Sequence, residues 1–178
     1  AMAESVRPIV GVQFRNLATL GGSLYGRFGF SDLLTLFLVL DARVELYHGG
    51  TVPLADYAAR PYERDILTHI VVPRQPGRVA YRAQRNISTD FPVLTCAVAK
   101  RADGYAAVVG ATPHLAEVVL DRQGVLTELT DESISKFAEQ VSEEIRFGSN
   151  VRSGAAYRKV ICRVLVKRAL KAWKGEQI

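Results

Sequence analysis

Apolar positions along the chain recur with two periods, one near 3.6 residues and one of 2, which predict both helices and strands. The most apolar segment, residues 33–40, follows Ser31 and Asp32. Either residue can accept a hydrogen bond from the first turn of a helix, so we expect one of them to cap a buried helix there. Upstream, residues 6–14 are interpreted as an extended segment, and no structure is predicted for residues 1–3.

Three further helices are predicted. Apolar residues recur at helical spacing over 134–145, preceded by Thr130 or Asp131 as the capping residue, and again over 157–172. Residues 54–58 are expected to form a short helix.

Strand patterns account for most of the remaining chain. Alternation or short apolar runs predict strands at residues 43–47, 51–54, 65–72, 79–82, 91–100 and 105–109. Glycine-containing turns at 49–50 and 102–104 separate neighbouring runs and predict hairpins. Residues 115–120 fit either a strand or a helix.

Together these elements predict an α+β fold in two small units. Residues 73–77, Pro-Arg-Gln-Pro-Gly, are interpreted as a linker, which assigns residues 4–75 to the first unit and 78–174 to the second. The sheets are expected to be mostly antiparallel, with the last helices covering the second sheet. A chain of 178 residues that is 48% hydrophobic can bury a core in such an arrangement.

Charge is distributed unevenly over the chain, whose net charge is +5. The segment 151–178 contains a single acidic residue, Glu176, and is rich in basic ones: Arg152, Arg158, Lys159, Arg163, Lys167, Arg168, Lys171 and Lys174. Such a segment suits an acidic partner, either protein or nucleic acid. We favour a solvated helix face and expect no nucleic-acid binding, because no interleaved aromatic residues indicate a base-stacking surface.

Several classes of protein and site are not expected. No apolar run reaches the roughly 20 residues of a membrane span, and the start lacks a secretory pattern, so we expect a cytoplasmic protein without membrane association. Cys96 and Cys162 lie in apolar patterns and are expected to be reduced and buried. His48, His69 and His114 lack the spacing of metal ligands, so no metal site is predicted.

No catalytic side chain is predicted either. Residues 133–136, Ser-Ile-Ser-Lys, fit a Ser-x-x-Lys pattern but fall inside the predicted amphipathic helix and have no companion motif. A phosphate loop, a nucleophile elbow and a Gly-x-Gly-x-x-Gly fingerprint are all absent from the sequence.

The segment 19–23, Thr-Leu-Gly-Gly-Ser, is the strongest candidate for a ligand site. Glycine has no Cβ to block the approach of a ligand to the backbone. Backbone N–H groups in such a turn, or at a helix start, form a small anion-binding concavity. Taken alone, a paired glycine is more often simply a turn.

A series of motifs extends this candidate over residues 10–172. The motifs are Arg15-Asn16-Leu17-Ala18-Thr19-Leu20-Gly21-Gly22, Ser31-Asp32 with the leucine-rich helix, residues 42–46, Asp65-Ile66-Leu67, Tyr81-Arg82, Asp90-Phe91-Pro92, Thr95-Cys96, residues 154–158 and residues 165–170. In order and spacing they resemble the FAD-binding medium subunit of molybdenum hydroxylases, the group of xanthine dehydrogenase and carbon monoxide dehydrogenase.

The resemblance implies a chain that carries FAD within a multi-subunit oxidoreductase. In that family electrons pass from a molybdenum cofactor through iron–sulfur clusters to the flavin, and often on to NAD. The implied partners are a large subunit with the molybdenum cofactor and a small iron–sulfur subunit. Residues 4–75 then correspond to the second FAD-binding subdomain, and residues 78–174 to the C-terminal domain of the flavoprotein.

The resemblance also implies a set of flavin contacts: Thr19, Leu20, Gly21, Gly22, Ser23, Asp32, Ile66, Leu67 and Arg82. Backbone groups of the paired glycine come closest to the flavin, and Asp32 accepts a hydrogen bond from the ribityl region. Ile66 and Leu67 pack on the ring system, and Arg82 supplies positive charge. Without the resemblance, the favoured explanations are that Asp32 is a helix cap, that Ile66 and Leu67 belong to the core, and that Arg82 is a solvated strand residue.

The sequence departs from the family in two respects. The family usually has Asn after the paired glycine, where this chain has Ser23 with its shorter side chain. The family's N-terminal half, with its glycine-rich pyrophosphate loop, is not part of this sequence. We therefore expect a fragment that binds flavin weakly or not at all by itself. The alternative is a non-catalytic assembly module with a degenerate flavin site, whose basic C-terminal helix docks a partner subunit.

Overall fold

The computed structural model describes residues 1–74 and 77–173 and confirms a mixed α+β fold. Its helices are α1 (Met2–Val6), α2 (Val12–Leu17), α3 (Leu20–Tyr25), α4 (Asp32–Val39), α5 (Leu54–Ala59), α6 (Asp131–Glu144) and α7 (Ala155–Lys171). Its strands are β1 (Arg43–Leu46), β2 (Gly50–Pro53), β3 (Leu67–Val71), β4 (Val79–Gln84), β5 (Leu94–Arg101), β6 (Gly104–Gly110) and β7 (Glu117–Leu120).

The strands form two antiparallel sheets, as predicted. The first has the order β2-β1-β3 and the second the order β4-β5-β6-β7. The hairpin turns into β2 and β6 pass through Gly50, with a φ of +65°, and Gly104, with a φ of +123°. Side chains strongly disfavour such positive φ values, so glycine permits these tight turns. The ambiguous residues 115–120 contain strand β7, which pairs with β6.

Helix α4 lies at the centre of the fold, and each of its residues is buried. It packs against α1, α3 and α5 on one side and against β5 and β6 on the other. Its side chains share one core with Val44 of β1 and with Ala97 and Ala99 of β5. A helix that is covered all round needs no polar face, which explains the unbroken apolar run at 33–40.

The opposite face of the second sheet carries a separate core. Cys96 and Val98 of β5 point to this side, where α6 and α7 cover them. Because alternate residues of β5 serve two different cores, the strand reads as a continuous apolar run. Both cysteines are buried and unpaired, and the predicted covering of this sheet by the last helices is confirmed. The core that contains α4 includes residues from both predicted units. The division of the chain into units 4–75 and 78–174 remains a prediction. Residues 75 and 76, in the predicted linker, lie outside the described part of the chain.

The prediction of an extended segment at residues 6–14 is wrong. Helix α1 occupies residues 2–6 and packs on α4 and β4, and α2 begins at Val12. The turn between these helices is held by Arg15, whose guanidinium donates to the carbonyl oxygens of Arg7, Ile9 and Val10 at 3.1, 2.7 and 3.2 Å. Such side-chain support leaves no trace in hydrophobic periodicity.

The basic segment is not a free cationic surface. Arg158 is fully buried, and three other basic residues of α7 form ion pairs with acidic residues of α6. These pairs are Lys159–Glu143 at 2.5 Å, Arg163–Glu139 at 2.8 Å and Lys171–Asp131 at 3.4 Å. Lys174 and Glu176 lie outside the described residues. Three of the six basic residues of α7 are therefore compensated by α6, and Arg158 is buried within the fold.

Helix α6 begins with a reciprocal cap, which Thr130 and Ser133 form with each other's backbone N–H groups. The Ser-x-x-Lys pattern thus contains a capping serine. Among residues 1–74 and 77–173, no helix has both the length and the apolar character needed to cross a membrane. The same residues include no group of three or more His, Cys, Asp or Glu side chains that could hold a metal ion.

Candidate functional site

A cavity of about 490 Å³ opens beside the N-terminal ends of α3 and α4. Four parts of the chain form its walls: the turn between α1 and α2, the segment from α2 into α3, the loop before α4 with the start of that helix, and the segment between β4 and β5. The lining residues are Ile9, Val10, Phe14, Ala18, Thr19, Gly22, Ser23, Phe28, Phe30, Ser31, Asp32, Leu33, Arg85, Thr89, Asp90 and Phe91. A cavity of this size, mostly apolar with a few polar groups, is typical of a small-molecule site.

The paired-glycine segment forms the first turn of α3. Thr19 caps this helix, because its Oγ1 accepts a hydrogen bond from the Gly22 N–H at 3.0 Å, and Ser23 Oγ donates to the Thr19 carbonyl at 3.0 Å. A Cβ at Gly22 would lie 3.0 Å from Thr19 Oγ1 and would crowd the cap. Glycine at this position therefore preserves the cap and leaves bare backbone at the cavity.

Aromatic rings form the second wall. Phe28 and Phe30 stack with their centroids 5.2 Å apart, and Phe30 meets the edge of Phe91 at 4.6 Å. These three side chains and Phe14 are between 40% and 57% exposed. Partly exposed rings grouped around one cavity suit a flat, apolar ligand.

Asp32 supplies the buried carboxylate of the site. Its Oδ1 accepts hydrogen bonds from the Tyr81 hydroxyl and from Arg85 Nη2, both at 2.5 Å. Its Oδ2 receives no hydrogen bond from the described residues, and Asp32 lines the cavity. Ser31, not Asp32, caps α4 by accepting from the Leu34 N–H at 3.2 Å. Asp32 thus has an oxygen available to a hydroxyl donor in the cavity.

Burial, together with the neighbouring Asp32 carboxylate, raises the pKa of Tyr81 well above its usual value. The Tyr81 hydroxyl therefore stays protonated at physiological pH and acts as a fixed donor to Asp32. Neutral, buried tyrosines usually find such a partner for the hydroxyl group.

Arg85 is the arginine that lines this cavity, whereas the sequence predicts Arg82 as the cation near the flavin. Arg82 donates to Glu4 at 3.1 Å and is not among the cavity-lining residues. The sequence contained one indication that Asp32 needs a cationic partner such as Arg85. An aspartate at the start of a wholly apolar helix is paired if it is buried, because an unpaired buried carboxylate is costly. Spacing along β4 could not indicate which arginine provides that pairing.

Ile66 and Leu67 also lie outside the cavity lining. They sit at the start of β3 next to α3, where the Tyr25 hydroxyl donates to the Asp65 carbonyl at 3.1 Å. Ile66 is 65% exposed, whereas Leu67 packs against the α4 core. The cavity thus brings together Thr19, Gly22, Ser23 and Asp32 of the predicted set. Leu20, Gly21, Ile66, Leu67 and Arg82 are outside its lining, and their flavin contacts stay predictions.

The segment between β4 and β5 is fixed at both of its ends. Arg85 Nη1 donates to the Asp90 carbonyl at 2.5 Å, and the Asp90 carboxylate pairs with Arg152 at 3.2 Å. This pairing lowers the pKa of Asp90. The Arg152 guanidinium also lies 5.1 Å from the Phe91 ring centroid, and beyond Phe30 and Phe91 is a smaller cavity of about 240 Å³. The aromatic wall is therefore supported by Arg152 from outside the cavity.

Residues 1–75 match the family described as the FAD binding domain in molybdopterin dehydrogenase. Over most of its length the chain is similar to two curated proteins. The glyceraldehyde dehydrogenase medium chain of Sulfolobus acidocaldarius is 24% identical over 188 residues, and the alignment covers 96% of this chain and 66% of that protein. The nicotine 6-hydroxylase medium subunit of Paenarthrobacter nicotinovorans is 27% identical over 185 residues, with coverage of 95% and 65%. The chain thus spans about two thirds of the length of these relatives.

Among solved structures, the fold is similar to a chain of carbon monoxide dehydrogenase from Hydrogenophaga pseudoflava. The TM-score is 0.83 with 22% identity, covering 97% of this chain and 67% of the other. A chain of the enzyme from Oligotropha carboxidovorans gives the same TM-score and identity over 98% of this chain. At this level of identity, the likeness establishes the fold.

Proposed function

We propose that this chain, whose residues 1–75 belong to the FAD-binding domain family of molybdopterin dehydrogenases, is the flavin-carrying part of a molybdenum hydroxylase. In this proposal it is part of a medium subunit that works with a large subunit carrying the molybdenum cofactor and a small iron–sulfur subunit. Bound flavin would supply the redox chemistry by which such a complex transfers electrons from the iron–sulfur clusters to an acceptor such as NAD. The names of the two curated relatives, a medium chain and a medium subunit, support this role.

The observation that carries the proposal is the chemistry of the cavity. Its aromatic side chains suit the flat isoalloxazine ring, and the Asp32 carboxylate suits the hydroxyl groups of the ribityl chain. The bare backbone at Gly22 permits close approach of either part. A volume of about 490 Å³ is in the range of pockets for drug-sized ligands, which fits the flavin and ribityl portions rather than the whole dinucleotide.

When bound, FAD supplies the redox chemistry, and the protein contributes binding, orientation and electrostatics. Asp32 accepts a hydrogen bond and orients the polyol chain. Phe28, Phe30 and Phe91 enclose the ring and exclude water from part of its surface. No side chain of this chain has to act as a nucleophile, in agreement with the lack of catalytic motifs.

One observation favours the assembly-module alternative. The Ser23 hydroxyl, at the position where the family usually has Asn, donates to the Thr19 carbonyl within α3 and so offers the cavity no free donor. The charge pattern of α7 argues against the docking role in that alternative, because α6 compensates Lys159, Arg163 and Lys171. We therefore favour flavin binding.

The test is a titration of the purified chain with FAD, FMN and riboflavin, followed by quenching of flavin fluorescence. Binding to this chain alone is expected to be weak, and saturable binding is expected once the family's N-terminal half is restored. Asp32→Ala and Gly22→Val are each expected to weaken it. Glu132→Ala, on the exposed face of α6, serves as the control that leaves binding unchanged. If none of the three flavins gives a saturable signal, either with this chain or with a version in which the family's N-terminal half is restored, the proposal fails. If flavins bind but neither cavity variant weakens them, the cavity is not the binding site.

A further inference from the structure

We infer that Arg85, together with Tyr81, is a positioning residue that fixes the Asp32 carboxylate so that its second oxygen selects a ligand hydroxyl group. The inference rests on the proposed flavin binding and deepens it, because it states which protein groups give the site its preference for a polyol chain.

The first argument is geometric. Tyr81 lies within β4 and Arg85 directly follows that strand, and both donate to a single atom, Oδ1 of Asp32, at 2.5 Å. Two donors on one oxygen restrict rotation of the carboxylate about its Cβ–Cγ bond. The other oxygen is thereby held in one place, free of hydrogen bonds from the described residues and on a side chain that lines the cavity.

The second argument is burial. The side chains of Arg85 and Asp32 are only 9% and 7% exposed. Arg85 forms no other ion pair among residues 1–74 and 77–173, and its Nε is buried without a hydrogen-bond partner. A buried charge must be compensated, so Asp32 and Arg85 depend on each other. Such mutual dependence holds a carboxylate more rigidly than contact with solvent would.

The third argument is chemical. A carboxylate whose one oxygen is saturated by donors can only accept at the other, so it favours a ligand hydroxyl and disfavours a phosphate or carbonyl oxygen. A site built around a buried acceptor also discriminates strongly against a ligand that lacks the matching donor, because the acceptor is then left unpaired. Flavins with a ribityl chain carry such hydroxyls, and lumiflavin, in which a methyl group replaces the chain, does not.

Arg85 has a second contact that the test must separate from positioning. Its Nη1 donates to the Asp90 carbonyl and so steadies the wall segment between β4 and β5. Loss of this contact would weaken the binding of all flavins alike, whereas loss of positioning would weaken only the binding of flavins with a ribityl chain. The ratio of riboflavin affinity to lumiflavin affinity therefore distinguishes the two roles.

The experiment measures that ratio by fluorescence titration for the unaltered chain, Arg85→Ala, Arg85→Lys and Tyr81→Phe. We expect Arg85→Ala to lower the affinity for riboflavin about tenfold, as for loss of a charged hydrogen bond. The affinity for lumiflavin should fall less than about twofold. Arg85→Lys, which keeps the charge, is expected to restore part of the ratio. Tyr81→Phe keeps the ring and removes one donor, so it tests positioning even if Arg85→Ala fails to fold.

Arg101→Ala is the matched control. Arg101 is as deeply buried as Arg85 and binds the opposite end of α4, donating to the carbonyls of Leu38 and Val39 at 2.6 and 2.9 Å. Its loss should lower stability and leave the ratio unchanged. Equal weakening of both ligands by Arg85→Ala and Tyr81→Phe would overturn the positioning role alone. If neither ligand binds to the unaltered chain or to a version in which the family's N-terminal half is restored, the proposed function is overturned as well.

Discussion

The side-chain hydroxyls of Thr35 and Thr95 lie 2.8 Å apart and join helix α4 to strand β5. Both residues are fully buried. Thr35 Oγ1 also donates to the carbonyl of Ser31 at 3.3 Å, which leaves Thr95 as the donor between the two hydroxyls. This contact connects the first turn of α4, beside the cavity, with the central strand pair of the second sheet.

Replacement of Thr35 by Val should lower the free energy of unfolding by about 1–3 kcal/mol, because the Thr95 hydroxyl then stays buried without a partner. The double variant Thr35→Val/Thr95→Val should recover part of this loss, since both polar groups are gone. Urea unfolding of the two single variants and the double variant measures the coupling. If the effects of the two single substitutions on the free energy of unfolding simply add up in the double variant, the predicted coupling is contradicted.

Gly110 lies directly against this threonine pair. A Cβ there would come within 2.4 Å of Thr35 Oγ1 and 2.6 Å of Thr95 Oγ1. Gly110→Ala should therefore cost about 1–3 kcal/mol through overpacking. Gly21→Ala is the matched control, because its Cβ would meet no atom within 4 Å and alanine favours the helix. Thermal unfolding should separate the two variants, and similar midpoints would refute this account.

Arg158 fixes the start of α7 to the end of the β4–β5 segment. Its guanidinium donates to the carbonyls of Val93, Gly148 and Ser153 and to Asn150 Oδ1 at 2.7–2.9 Å. Arg158→Met removes all four hydrogen bonds and deprives the buried Val93 carbonyl of this donor, and we expect it to destabilise the fold by about 3 kcal/mol or more.

The exposed Arg168 on the same helix provides the control for Arg158. Arg168→Met should change stability by less than about 0.5 kcal/mol, as surface substitutions usually do. Both variants can be compared by urea unfolding under identical conditions. An equal, small effect at the two positions would show that the buried hydrogen bonds contribute little.

The buried thiols should make stability fall at alkaline pH. Burial raises the pKa of Cys162 to about 12 and raises that of Cys96 well above its usual value. Unfolded thiols ionise near pH 8.5. Between that pH and about 12 the unfolded state therefore loses protons that the native state keeps, and stability decreases as pH rises.

Urea unfolding between pH 8 and pH 10 measures this decrease. Cys96→Ala/Cys162→Ala should start from a lower stability and show a shallower decline, because the two ionising groups are absent. A thiol reagent should label neither cysteine in the native protein and both in urea. Rapid native labelling, or an unchanged slope in the double variant, would contradict the burial argument.

Much of the fold was predictable because its elements carry strong local signals. The apolar run at 33–40, the turns at Gly50 and Gly104 and the capped amphipathic helix after Thr130 each have a distinct pattern, and the structure confirms them. The helices before Thr19 were missed. No residue of α2 is buried, so it has no apolar stripe facing a core, and side-chain hydrogen bonds from Arg15 support the turn before it.

For the site, the sequence by itself determined which residue types are available: a paired glycine, a carboxylate at the start of a buried helix, and arginines on the strand opposite. Only the tertiary structure decided that Arg85 rather than Arg82 meets Asp32, and that Phe28, Phe30 and Phe91 share one wall. The physical reason is the distance along the sequence over which each interaction acts. Caps, turns and amphipathic faces depend on residues within a few positions, whereas the pairing of a buried charge depends on which distant side chain the packing of α4 against β5 and β6 places within hydrogen-bond distance.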